Sequence, residues 1–120
     1  MRILIVDDSR AMRMIVARTL KQSGHTGEIS EAADGAEALV AIKADRPDLV
    51  LCDWNMPQLN GIELLAALRA EGIDVPFGFV TSESTGEMRE QAILAGSRFV
   101  IAKPFTPDTF TQAIGPVVGL

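Results

Sequence analysis

Cysteine is nearly absent from this chain of 120 residues: Cys52 stands alone, which excludes an internal disulfide and fits a reducing compartment. Long apolar runs are missing too, since none approaches the ~18–20 residues that a membrane-crossing helix needs. The start, Met1 to Asp8, turns acidic after one short apolar run and lacks the apolar stretch and cleavage site of a secretory signal. Together these absences predict a cytoplasmic chain with no membrane span. Lys and Arg never form a block, and 11 of them against 16 acids leave a formal charge of −5. That sign disfavours a phosphate backbone, so no nucleic-acid partner is expected. Neither GxGxxG nor GxxxxGK[ST] occurs, which leaves a nucleotide enzyme poorly supported. The only histidine, His25, falls in a loop and reads as exposed.

What is present is an ordinary globular balance of 48% hydrophobic and 22% charged residues, at the length of one domain. Strand and helix patterns alternate from end to end. Arg2 to Val6, Ile29 to Ala33, Asp48 to Asp53, Val75 to Thr81 and Arg98 to Ala102 read as strands, mostly short apolar runs. Between them, Arg10 to Ser23 puts Met12, Ile15, Val16, Thr19 and Leu20 at helical spacing, with Gly24 as a stop. Ala36 to Ala44, Gly61 to Ala70 after Asn60 as N-cap, and Glu87 to Ala95 before Gly96 read as further helices. A last helix is expected over Pro107 to Val118, interrupted at Gly115-Pro116. No linker, repeat or low-complexity segment breaks this series. Five βα units predict a single-domain α/β fold with a parallel sheet covered on both faces.

In such sheets the chemistry sits beyond the carboxyl ends of the strands. There the first strand ends in Asp7-Asp8, the third in Asp53, the fourth in Thr81-Ser82 and the fifth in Lys103-Pro104. Three acids so close repel one another unless a cation joins them or one takes a proton. They also account for more than half of the formal charge of −5. Oxygen-only ligands suit Mg²⁺, which keeps several waters and accepts phosphate oxygens. A carboxylate beside Mg²⁺, with Lys103 and Thr81 to hold phosphoryl oxygens, fits phosphoryl transfer to an aspartate. The bland alternative is a solvated turn, because Asp is also a favoured helix start.

Asp7-Asp8, the run DWNMP at 53–57 with Gly61 after it, Thr81-Ser82-Glu83 and Lys103-Pro104-Phe105 resemble the signature of response-regulator receiver domains. The likeness spans essentially the whole chain, and the fragments DDSRAMR and DWNMPQLNG resemble the chemotaxis members in particular. It implies a flavodoxin-like (βα)₅ doubly wound parallel sheet of order 2-1-3-4-5, with residues 1–120 as one receiver and no effector domain. It also implies a cis Lys103-Pro104 bond, where trans is the ordinary expectation for a residue before proline. By the same resemblance Asp53 is the phosphoacceptor, with Thr81 and Lys103 contacting the phosphoryl group. Asp8, Asp53 and the backbone carbonyl of Asn55 would ligate Mg²⁺, with Asp7 acting mainly through water. The side chains of Asn55 and Glu83 would tune hydrolysis. A histidine kinase would be the phosphodonor and a target protein, such as a flagellar motor switch, the downstream partner. The protein would assist its own phosphorylation and dephosphorylation without being an enzyme in the usual sense, as a monomer or weak dimer.

One position departs from the family pattern. Many receivers carry Tyr or Phe three residues before the lysine as part of the switch and output surface; here that residue is Val100, and Phe99 lies one earlier. A one-residue slip sends a strand side chain to the opposite face, so Phe99 does not substitute unless the strand is irregular. Other readings are a phosphorelay intermediate that passes the group to a histidine phosphotransfer protein, and a non-phosphorylated interaction module. A phosphatase acting on external substrates lacks a separate general acid. Cys52 is expected to point into the core, and Trp54 either to cover the site or to pack on the loop after it. Met12, Met14, Met56 and Met88 read as packing residues.

Overall fold

Short, mostly apolar runs of four or five residues form the centre of the molecule, in a computed structural model that describes residues 1–82 and 85–118. β1 (Ile3–Val6), β3 (Leu49–Cys52) and β4 (Phe77–Thr81) are buried at every position. Continuous apolar runs of this kind suit strands covered on both faces. β2 (Ile29–Ala32) and β5 (Phe99–Ala102) are the less buried edges of one parallel sheet, ordered β2-β1-β3-β4-β5. The helices between and after them are α1 (Arg10–Gln22), α2 (Gly35–Ala44), α3 (Gly61–Ala70), α4 (Gly86–Leu94) and α5 (Pro107–Val118). The doubly wound (βα)₅ fold and its strand order are those the sequence implied.

Strand alternation divides the core into two layers. Leu4, Val6, Val50, Cys52, Phe77 and Phe79 face Ala38, Ile42, Leu64, Leu65, Leu68 and Ala92 of α2, α3 and α4. Ile3, Ile5, Leu49, Leu51, Val80 and Ile101 face Val16, Leu20, Phe110 and Ile114 of α1 and α5. Cys52 thus acts as a small buried hydrophobe, as expected. Each helix from α1 to α4 begins at a capping side chain: Ser9, Asp34, Asn60 and Thr85 accept the N–H three residues on. Gly24 and Gly96, just past α1 and α4, take φ of +102° and +105°, the left-handed region that ends helices.

The structure corrects several local expectations. α5 runs unbroken through Gly115 and Pro116. Pro116 stands in the last turn, and the N–H it lacks would have served the carbonyl of exposed Gln112. α4 begins one residue early at Gly86, because Thr85 supplies the cap. His25 is half-buried, with Nε2 shielded from solvent and without a hydrogen-bond partner among the described residues. It lines a small pocket with Met1, Leu20, Phe110 and Ile114, and burial, followed by the N-terminal ammonium, lowers its pKa. Ile15 is 46% exposed and Met14 54%, so the buried stripe of α1 runs through Val16, Thr19 and Leu20 instead. Met12, Met56 and Met88 pack against the core as expected.

β5 is regular: Gly78 pairs with Phe99, Phe79 with Val100, Val80 with Ile101 and Thr81 with Ala102. Val100 packs into the layer of α2 to α4 and Phe99 into that of α1 and α5. The Phe99 ring fills the room left by Gly78, where a Cβ would collide with three ring carbons. Phe99 therefore does not reach the face that Val100 occupies.

Candidate functional site

Each candidate side chain is fixed by the strand that precedes it. Asp7 leaves β1 donating its N–H to Ala32 O (3.2 Å), and Asp53 leaves β3 donating to Val6 O (2.9 Å). The Lys103 N–H extends the pairing of β5 by donating to Thr81 O (2.9 Å). These main-chain bonds bring the carboxylates of Asp7, Asp8 and Asp53 together, with one oxygen of each within 4.8 Å of the others. Lys103 Nζ lies 3.3 Å from Asp7 Oδ2 and 3.6 Å from Asp53 Oδ1. The Lys103-Pro104 bond is cis. Asp7 is buried, Asp53 half-buried and Asp8 exposed, so the cluster is reached from the Asp8 side.

Hydrogen bonds aim the carboxylates further. Asp7 Oδ1 accepts the Ser9 N–H at 2.9 Å, and Asp53 Oδ1 accepts the Trp54 N–H at 2.9 Å. Burial pushes the Asp53 pKa up and Lys103 draws it back; Asp7 pushes it up, the Trp54 N–H draws it back and Asp8 pushes it up again. One lysine against three acids leaves negative charge. A hard divalent cation that binds oxygen and keeps some of its waters fits this donor set, so the residues present suit Mg²⁺. The neighbouring Cys52 thiol is raised well above its usual pKa by burial, with Asp53 and Asp7 adding to the effect. It is inert at neutral pH.

Thr81 closes β4 with only 1% exposure, and Ser82 beside it is exposed. Asn55 is exposed two residues beyond Asp53. Glu83 lies outside the described residues. Trp54 is 8% exposed and packs on Phe79 with ring centroids 4.8 Å apart, so it lies inward and does not cover the acids. Its carbonyl accepts the Gly61 N–H at 2.9 Å. A Cβ on Gly61 would collide with the Asp53 carbonyl oxygen and come 2.7 Å from the Phe79 ring. Only glycine leaves room for the loop to fold this closely behind Asp53.

One contributor is not legible as a motif. Arg13 donates from Nη1 to Asp7 O at 2.6 Å and from Nε to Glu31 Oε1 at 2.8 Å. The available signal is its spacing: Arg13, Val16 and Leu20 share a face of α1, so a cation stands on the buried stripe.

Residues 3–115 match the family described as response regulator receiver domain. A chemotaxis protein CheY homolog of Campylobacter jejuni is 38% identical over 122 residues, covering 99% of this chain and 93% of that relative. The solved structure of Vibrio cholerae chemotaxis protein CheY4 superposes with a TM-score of 0.85 at 33% identity, over 97% of both chains. The Francisella response regulator 1452 receiver domain gives 0.88 at 27% identity, over 98% of this chain and 96% of that one.

Proposed function

This chain belongs to the response regulator receiver domain family, and we propose that residues 1–120 act as a phosphorylation-driven receiver whose acceptor is Asp53. A CheY-like receiver is a signalling domain of two-component systems and not a classical enzyme. In the proposed reaction a histidine kinase presents phosphohistidine, and a carboxylate oxygen of Asp53 attacks phosphorus. The new P–O bond forms as the P–N bond breaks; the imidazole keeps that electron pair and takes up a proton. Hydrolysis returns the carboxylate when water attacks phosphorus and the P–O bond to Asp53 opens.

The observation that carries this reading is the gathering of three carboxylates within 4.8 Å beside the Lys103 ammonium. Asp8, Asp53 and the Asn55 carbonyl would hold Mg²⁺, with Asp7 contributing through water; the ion would offset charge on the phosphoryl oxygens. Lys103 would pair with one of those oxygens and Thr81 donate to another. Asn55 and Glu83 would set how readily water attacks. Beside Lys103, a groove of about 430 Å³ lined by Met12, Ile15, Ser82, Pro104 and Phe105 offers the donor an approach.

The output is binding of a partner protein in the cytoplasm, through the surface of α4, β5 and α5, by a monomer or weak dimer. A chemotaxis role with a flagellar-motor target is the leading version, supported by the chemotaxis relatives. With Val100 where an aromatic is usual, coupling passes through Thr81 and the backbone. Trp54 fluorescence tests the proposal: saturable responses to Mg²⁺ and then beryllofluoride are expected, with the second lost in Asp53→Asn. Absence of any acyl phosphate by intact mass after acetyl phosphate treatment would overturn it.

A further inference from the structure

All four polar positions of Asp7 are engaged. Its N–H bonds Ala32 O, Oδ1 accepts from Ser9, Oδ2 faces Lys103 at 3.3 Å, and its carbonyl accepts from Arg13. At 2.6 Å the Arg13 bond is the shortest of these four. That carbonyl belongs to the peptide joining Asp7 to Asp8, and the orientation of this plane decides where the Asp8 carboxylate begins. The guanidinium is in turn oriented by Glu31 on edge strand β2, through Nε at 2.8 Å. Arg13 is sheltered, with its side chain 14% exposed, whereas that of Glu31 is 45% exposed. A planar fork serves both acceptors at once, which a lysine ammonium at this position does not reproduce.

We propose that Arg13 and Glu31 form a positioning pair that holds the Asp7–Asp8 peptide and thereby sets the affinity of the acidic site for Mg²⁺. The inference rests on the reading of Asp7, Asp8 and Asp53 as a cation site. Charge and positioning make opposite demands here. A cation beside three acids opposes a second cation, so removing its charge alone would tighten Mg²⁺ binding. Loss of an outer group that orients ligands weakens metal binding, by about 10-fold or more.

Mg²⁺ titrations of metal-free protein, read by Trp54 fluorescence, separate the two for wild type, Arg13→Lys, Arg13→Gln, Glu31→Ala and Glu31→Asp. Positioning requires both Arg13 variants to bind about 10-fold more weakly, the charge-conserving Lys included. It also requires Glu31→Ala to weaken binding and, because loss of an acid does so by charge alone, the charge-conserving Glu31→Asp to weaken it too, at an exposed site where folding is preserved. Tighter binding by Arg13→Gln with Arg13→Lys unchanged would mean a charge effect and overturn the proposal, as would affinities equal to wild type. If the Arg13 variants fail to fold, unchanged affinity in Glu31→Asp overturns it by itself. A wild type that does not bind Mg²⁺ overturns the cation site itself and this inference with it.

Discussion

Asp53 keeps its carboxylate partly out of water and beside two other acids, and its pKa stands above the ordinary carboxylate value for those reasons. A raised pKa means the folded protein holds that proton more tightly than the unfolded chain. The stabilisation is present below the unfolded pKa and is lost as pH rises through the folded one. At neutral pH the charged Asp53 carboxylate therefore works against the fold. Asp53→Asn is expected to stabilise metal-free protein at pH 7 by on the order of 1 kcal/mol in urea denaturation, an advantage that shrinks as pH falls through the carboxylate range. Equal stability at pH 7 would contradict this account. At this scale the acids and Lys103 were legible because strand ends place them with little freedom. Arg13 and His25 were not: which carbonyl a long cation reaches, and which side of a loop an imidazole takes, depend on packing.

Helices α3 and α4 differ in how firmly they are held. α3 buries Gly61, Leu64, Leu65 and Leu68 and starts with a capping box between Asn60 and Glu63. α4 buries only Ala92 fully, and leaves Ile93 54% and Leu94 81% exposed. Few apolar anchors mean local opening well below the global unfolding free energy. Hydrogen exchange of metal-free protein should show α4 amides exchanging at least about 100-fold faster than the central amides of α3; comparable protection would show that α4 is docked more firmly than its burial implies. Periodicity and caps made the elements legible almost to the residue. It misjudged the end of α5, where a proline pattern that usually breaks a helix coincides with a last turn that has little left to lose.

On the scale of the whole molecule, parallel strands collect negative charge at one end of the sheet while both faces are given over to packing. Binding at that edge is thus linked to the stability of the whole. A ligand that binds only the folded state stabilises it by about 2.7 kcal/mol at a hundredfold excess over its Kd. For a domain of this size Mg²⁺ at that excess should raise the Tm by roughly 10 °C, and Asp8→Asn should remove most of the rise. Calorimetry with and without chelator measures it, and an equal Mg²⁺ response in the variant would exclude Asp8 as a ligand. The parallel sheet and the edge that gathers the acids were legible from alternation, whereas the order of strands followed from the family resemblance. The face that a partner would read was not, since a docking face has no spacing rule.

Phe99 and Gly78 share a single volume across two strands. In the history of such a sequence these positions are not free to drift apart. A larger residue at 78 finds its space taken, and a smaller one at 99 leaves a hollow under α5. Substitutions there become acceptable in company and harmful alone, so the two sites should be inherited as a couple. Position 100, facing the other layer, lies outside that bond.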